Sequence, residues 1–116
     1  MDLDCGMIKD QIAAIQSKLQ SAENIPSDTK AELAQLLAEL EAEVSLLSQT
    51  HDEQALRIAR STDATAEEVT RSENQPEVVE AALDELRASV QEFETSHPKM
   101  TSIVGRLATT LSNMGI

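Results

Sequence analysis

Aromatic side chains are almost missing from this 116-residue chain: Phe93 stands alone, with no Trp and no Tyr. Any core must then be assembled from Leu, Ile, Val, Ala and Met, which suits packed helices better than a sheet, since sheets draw on aromatic and β-branched residues. Glycine and proline are scarce too, three of each, and are expected at or near helix ends. The single cysteine, Cys5, excludes an intramolecular disulfide and fits a reducing compartment, so cytoplasm is the expected location. No apolar run approaches the roughly 20 residues needed to span a bilayer. Residues 1–6 also lack the charged and apolar regions of a signal peptide, and they are expected to form a flexible extension ahead of a single domain over 7–116.

Positive charge is the other shortage. Nine Lys and Arg face 21 Asp and Glu, for a formal charge of −12. Residues 97–116 carry Lys99 and Arg106 and no acid, so the acidity is concentrated in the rest of the chain. An exterior of this sign repels phosphate backbones and anionic lipid heads, which disfavours direct nucleic-acid binding and membrane binding. It permits a basic partner, although acids on outward helix faces commonly serve solubility alone.

What the chain does have is helix formers and a periodic apolar pattern. Ile8, Ile12, Ile15, Leu19 and Ala22 recur at steps of four, three, four and three. The same rhythm returns in Leu33, Leu37, Leu40, Val44 and Leu47, in Val79, Leu83, Leu86, Val90 and Phe93, and in Met100, Val104, Leu107, Leu111 and Met114. Each set is an a/d seam on one helix face. The expected fold is all-α, with helices at about 7–23, 28–60, 77–95 and 98–114.

Helix-end signals separate the seams. Pro26 cannot continue a helix, and Ser27 or Asp28 can cap the next one. Asn74, Gln75 and Pro76 open the third helix, and His97-Pro98 the fourth, with Gly115 at its far end. Residues 48–75 are ambiguous: the stripe fades at His51 and Gln54, and Ala55, Ile58, Ala59, Thr62, Ala66 and Val69 offer a fainter face. A continuous helix over 28–71 would be about 65 Å long at 1.5 Å per residue, too long for its neighbours to cover. Short connections favour antiparallel hairpins, the first helix with the second and the third with the fourth. Together they would form a four-helix bundle or coiled-coil-like assembly, expected to be a homo-oligomer because each hairpin alone leaves a stripe uncovered. The seam residues Leu37, Leu40, Val44, Leu47, Leu83, Leu86, Val90, Phe93, Val104, Leu107 and Leu111 are the candidate interface; the same pattern also serves an ordinary intramolecular core.

Catalytic parts are lacking. Glu94-x-x-His97 has the spacing of carboxylate-bridged di-metal bundles, but such sites need a second copy and two more carboxylates. His51, Asp52 and Glu53 are consecutive on a helix and point about 100° apart. With one Cys, two His and no glycine-rich loop, neither a triad, a zinc site nor a phosphate cradle can be assembled. No metal or cofactor and no enzymatic activity are expected.

Ser96-His97-Pro98, Gly105-Arg106-Leu107-Ala108 and the closing Leu111-Ser112-Asn113-Met114-Gly115-Ile116 resemble the DUF4404 family of small bacterial proteins of unknown function. The resemblance covers about residues 7–50 and 76–116, including the Leu- and Glu-rich stretch 28–47. It implies a bacterial, cytosolic, helical protein and brings no activity, substrate or site residues. The expected function is a structural or protein-interaction module that self-associates through its seams, the alternative being an acidic regulator that binds a basic partner protein.

Overall fold

Local sequence cuts the chain more often than the seams suggest. The computed structural model describes residues 3–23, 25–71 and 75–115. Among them are five α-helices and no strand: α1 (Leu3–Ser21), α2 (Ser27–Leu47), α3 (Asp52–Thr70), α4 (Pro76–Val90) and α5 (Pro98–Gly115), with a short 3₁₀ turn at Gln91–Phe93. The all-α expectation holds, with five helices in place of four. Residues 3–6, expected in a flexible extension, are helical; residues 1 and 2, Asn74 and the side chain of Met114 lie outside the described residues.

The expected helix 28–60 is corrected to α2 and α3, broken at residues 48–51. The break is local chemistry. Ser48 Oγ donates to Ser45 O at 2.7 Å, the carbonyl that Gln49 N would take in a continuing helix, and Gln49 N turns instead to Leu46 O at 3.2 Å. His51 then leaves helical geometry at φ −138°, ψ 64°. Its own carbonyl accepts from Ala55 N at 2.9 Å to start α3, whose first turn carries Asp52 and Glu53, where the helix dipole favours acids.

Prolines mark the other starts as expected. Pro76 and Pro98 are the first residues of α4 and α5, and Thr101 N donates to His97 O at 3.1 Å. The cap of α2 differs from expectation: Pro26 occupies that position, with no side-chain cap, and Ser27 is already helical. The third helix, expected to reach 95, ends at Val90 and tightens into the 3₁₀ turn, which carries Phe93 into the core at 4% exposure. Gly105, expected near a helix end, lies in mid-α5.

The stretch left ambiguous by the sequence is the centre of the molecule. Helix α3 touches all four others, whereas among the described residues α1 does not meet α4 or α5, and α2 does not meet α4. The expected hairpin pairs, α1 with α2 and α4 with α5, are both in contact. The buried face of α3 is Ala55, Ile58, Ala59, Ser61, Thr62, Thr65, Ala66 and Val69, mostly small side chains that let four helices approach one. Its two threonine hydroxyls are satisfied within the helix: Thr62 Oγ1 donates to Ile58 O at 2.8 Å and Thr65 Oγ1 to Ser61 O at 2.9 Å, which removes the penalty for burying them.

Around α3 a single apolar cluster runs from Ile8 to Leu111 and draws on every helix. The Cα radius of gyration is 13.2 Å, against about 13.4 Å for a compact domain of this length. Of the two expected arrangements, a bundle and a coiled-coil-like assembly, the packing is compatible with a bundle, and this one covers its stripes within the chain.

Candidate interaction surface

All eleven candidate interface residues are enclosed within one chain. Leu40, Val44, Leu47, Leu86, Val104 and Leu107 are fully buried; Leu37, Leu83, Leu111, Val90 and Phe93 are at most 4% exposed. They are core, and their burial needs no second copy. Among the described residues the exposed large hydrophobics are Leu46 and Val78, so candidate interfaces must be sought in the polar exterior.

One end of the bundle gathers the chain's three ring side chains that carry aromatic character. Phe93 lies between His51 and His97, with centroids 5.5 and 5.7 Å away in edge-on geometry. His51 comes from the α2–α3 connection and His97 from the residue before α5, so the pair clamps two turns onto one ring, a contact worth a fraction of a kcal/mol to about 1.5 kcal/mol per aromatic pair. Glu94 is exposed. No group of three His, Cys, Asp or Glu able to hold a metal occurs among the described residues.

Ion pairs stitch α3 to its neighbours. Lys18 Nζ reaches Asp63 Oδ1 at 3.0 Å from α1, Gln11 Nε2 donates to the same carboxylate at 3.2 Å, and Arg57 Nε donates to Glu85 Oε2 at 2.9 Å toward α4. The Arg57 hydrogen bond, aided by its charge, holds the Glu85 carboxyl below the usual carboxylate range. A lowered acid contributes stability above its unfolded pKa and loses it as pH falls through the folded one. Glu85→Gln should therefore melt slightly below wild type at neutral pH. That difference should vanish on acidification below the carboxylate range and shrink with added salt, because both groups are exposed; parallel thermal melts check this, and a difference constant with pH would remove the pair from the stability balance.

The outward side of α4 has a different character. Among the described residues this helix rests on α3, α5 and the 3₁₀ turn, and Glu77, Glu80, Ala81, Asp84 and Ala88 are all exposed. Glu77 and Glu80 are three residues apart, Glu80 and Asp84 four, which makes neighbours of like charge. None of the three acids has an ion pair among the described residues.

The outer side of α5 lies between two grooves. One, of about 490 Å³, is lined by Glu32 of α2 with Ser102, Gly105, Arg106, Thr109 and Thr110. The other, of about 210 Å³, is lined by Arg87, Val90 and Glu94 with Thr101, Val104 and Gly105. Neither surface was singled out from the sequence. The α4 spacing of acids was there to be found, whereas the grooves depend on how three helices pack.

A family model described as a domain of unknown function, DUF4404, matches residues 8–116, nearly the whole chain, including the middle stretch outside the resemblance read from the sequence. No curated protein and no solved structure matches the chain.

Proposed function

The chain belongs to the DUF4404 family, and because that membership carries no activity we propose, from the exterior alone, that it is a non-enzymatic helical interaction module whose acidic surface recruits a basic partner protein. The observation that carries this is the α4 edge. Glu77, Glu80 and Asp84 repel one another at helix-neighbour distance, at a cost of a few tenths of a kcal/mol per pair, and a Lys- or Arg-rich segment laid across them would turn that cost into attraction. Ala81 and Ala88, exposed between the acids, leave room for the aliphatic stems of such side chains. The formal charge of −12 adds long-range steering of a basic partner. The lone Cys5 supports action in a reducing compartment, with the cytoplasm as the proposed location, and no helix among the described residues is long and apolar enough to cross a membrane.

Self-association through the leucine-type seams would require the bundle to open, since those side chains are buried in one chain. Assembly of closed copies falls instead to an outer face.

The test uses a synthetic Lys-rich amphipathic peptide titrated against the full chain. Binding should weaken at least tenfold, about 1.4 kcal/mol, in the double variant Glu80→Lys, Asp84→Lys. It should persist in Glu23→Lys, Asp28→Lys, which makes the same charge change elsewhere. Raising salt from about 0.05 to about 0.5 M should also weaken it steeply. Equal affinity for both double variants would defeat the assignment to α4, and salt-insensitive binding would defeat the electrostatic reading.

A further inference from the structure

Gly105 sits half-buried in mid-α5, and a Cβ added there would meet nothing within 4 Å. Glycine is the least favourable helix-interior residue after proline, yet no neighbour in its own chain needs the missing side chain. The space above it is open, and a groove runs along either side.

Each groove holds one acid and one base: Glu32 with Arg106 toward α2, and Arg87 with Glu94 toward α4. None of the four is ion-paired among the described residues. A uniformly basic partner would meet Arg87 and Arg106, and a uniformly acidic one Glu32 and Glu94. A face bearing both signs in both grooves complements itself, which is what a two-fold contact between identical copies requires. The charge distribution points the same way, because two molecules of −12 repel, and residues 97–116 lie in the longest acid-free stretch of the chain. Thr101 and Thr109 on this face donate to His97 O at 3.1 Å and Gly105 O at 3.0 Å, so a partner can cover them without leaving their hydroxyl protons unbonded.

We propose that the protein forms a two-fold dimer in which α5 of one copy crosses α5 of the other at Gly105. This stands apart from the basic-partner reading, since it uses α5 and leaves the outward acids of α4 free.

The experiment is sedimentation velocity on the full chain from about 1 to about 100 µM, with melts of each variant by circular dichroism. Wild type should be dimeric within that range. Gly105→Leu should raise the dissociation constant at least about tenfold while the monomer still melts cooperatively. Glu32→Arg and Arg106→Glu should each weaken the dimer, and the two together should restore it, which keeps the question decidable even if Gly105→Leu folds poorly. A monomer at every concentration overturns the proposal, as does a dimer indifferent to Gly105→Leu and to both charge reversals.

Discussion

Leu40→Asp is expected to unfold the protein. Leu40 is fully buried on α2, which packs against α1, α3 and α5, so no rotamer brings a carboxylate at this position to water. Loss of the leucine side chain alone costs about 2–5 kcal/mol. An unpaired buried charge adds several more unless it takes up a proton, in which case an unsatisfied carboxylic acid remains. The sum is comparable to the whole stability of a typical domain, about 5–15 kcal/mol. Helical circular dichroism should collapse and the cooperative melt disappear. Leu46→Asp is the counterpart: Leu46 is on the same helix but 58% exposed, and it should lose no more than about 1 kcal/mol, the cost of an acid in the last turn of a helix. A Leu40→Asp protein that keeps its helical signal and its melt would remove Leu40 from the core.

The contrast between Leu40 and Leu46 also shows how much of the fold the sequence makes legible. Steps of four and three among large aliphatic residues identify the faces of α1, α2, α4 and α5, because burial of Leu, Ile and Val dominates the energetics there. The same signal fails for α3. Its buried face is made largely of Ala, Ser and Thr, residues chosen by the narrow space between four helices rather than by hydrophobicity, and a pattern search weighted by apolar character reads them as weak. The helix break at 48–51 is hidden for a related reason: it depends on the Ser48 hydroxyl taking the Ser45 carbonyl while the next backbone bonds tighten to the residue three back, a competition that composition does not reveal. Heptad seams likewise do not say whether their partner is in the same chain, and that is settled for these side chains only once α3 is placed among them. The surface was less legible still. Glu77, Glu80 and Asp84 are plain in the sequence, but their lack of an ion pair among the described residues is a matter of packing, and Gly105 gains meaning only with the open space above it.

Ala59→Leu tests the central position of α3, the part of the fold the sequence read least well. Ala59 is fully buried on a helix that touches all four others, so extra carbons have no free side toward which to move. Overpacking of this kind costs about 1–3 kcal/mol, which for a domain of this size corresponds to a fall in melting temperature of about 4 °C for each kcal/mol. Ala64 supplies the control: it lies five residues along the same helix and is exposed, the substitution adds the same atoms, and Ala64→Leu should melt within about 0.5 kcal/mol of wild type. Helix propensity barely separates Ala from Leu, so a difference between the two variants measures packing alone. If both are tolerated equally, α3 does not lie among four helices and the small residues on its inner face have no steric reason to be small. If Ala59→Leu alone is destabilised, the Ala, Ser and Thr of α3 are selected by the helices around them, and the bundle owes its closure to the segment with the weakest hydrophobic pattern.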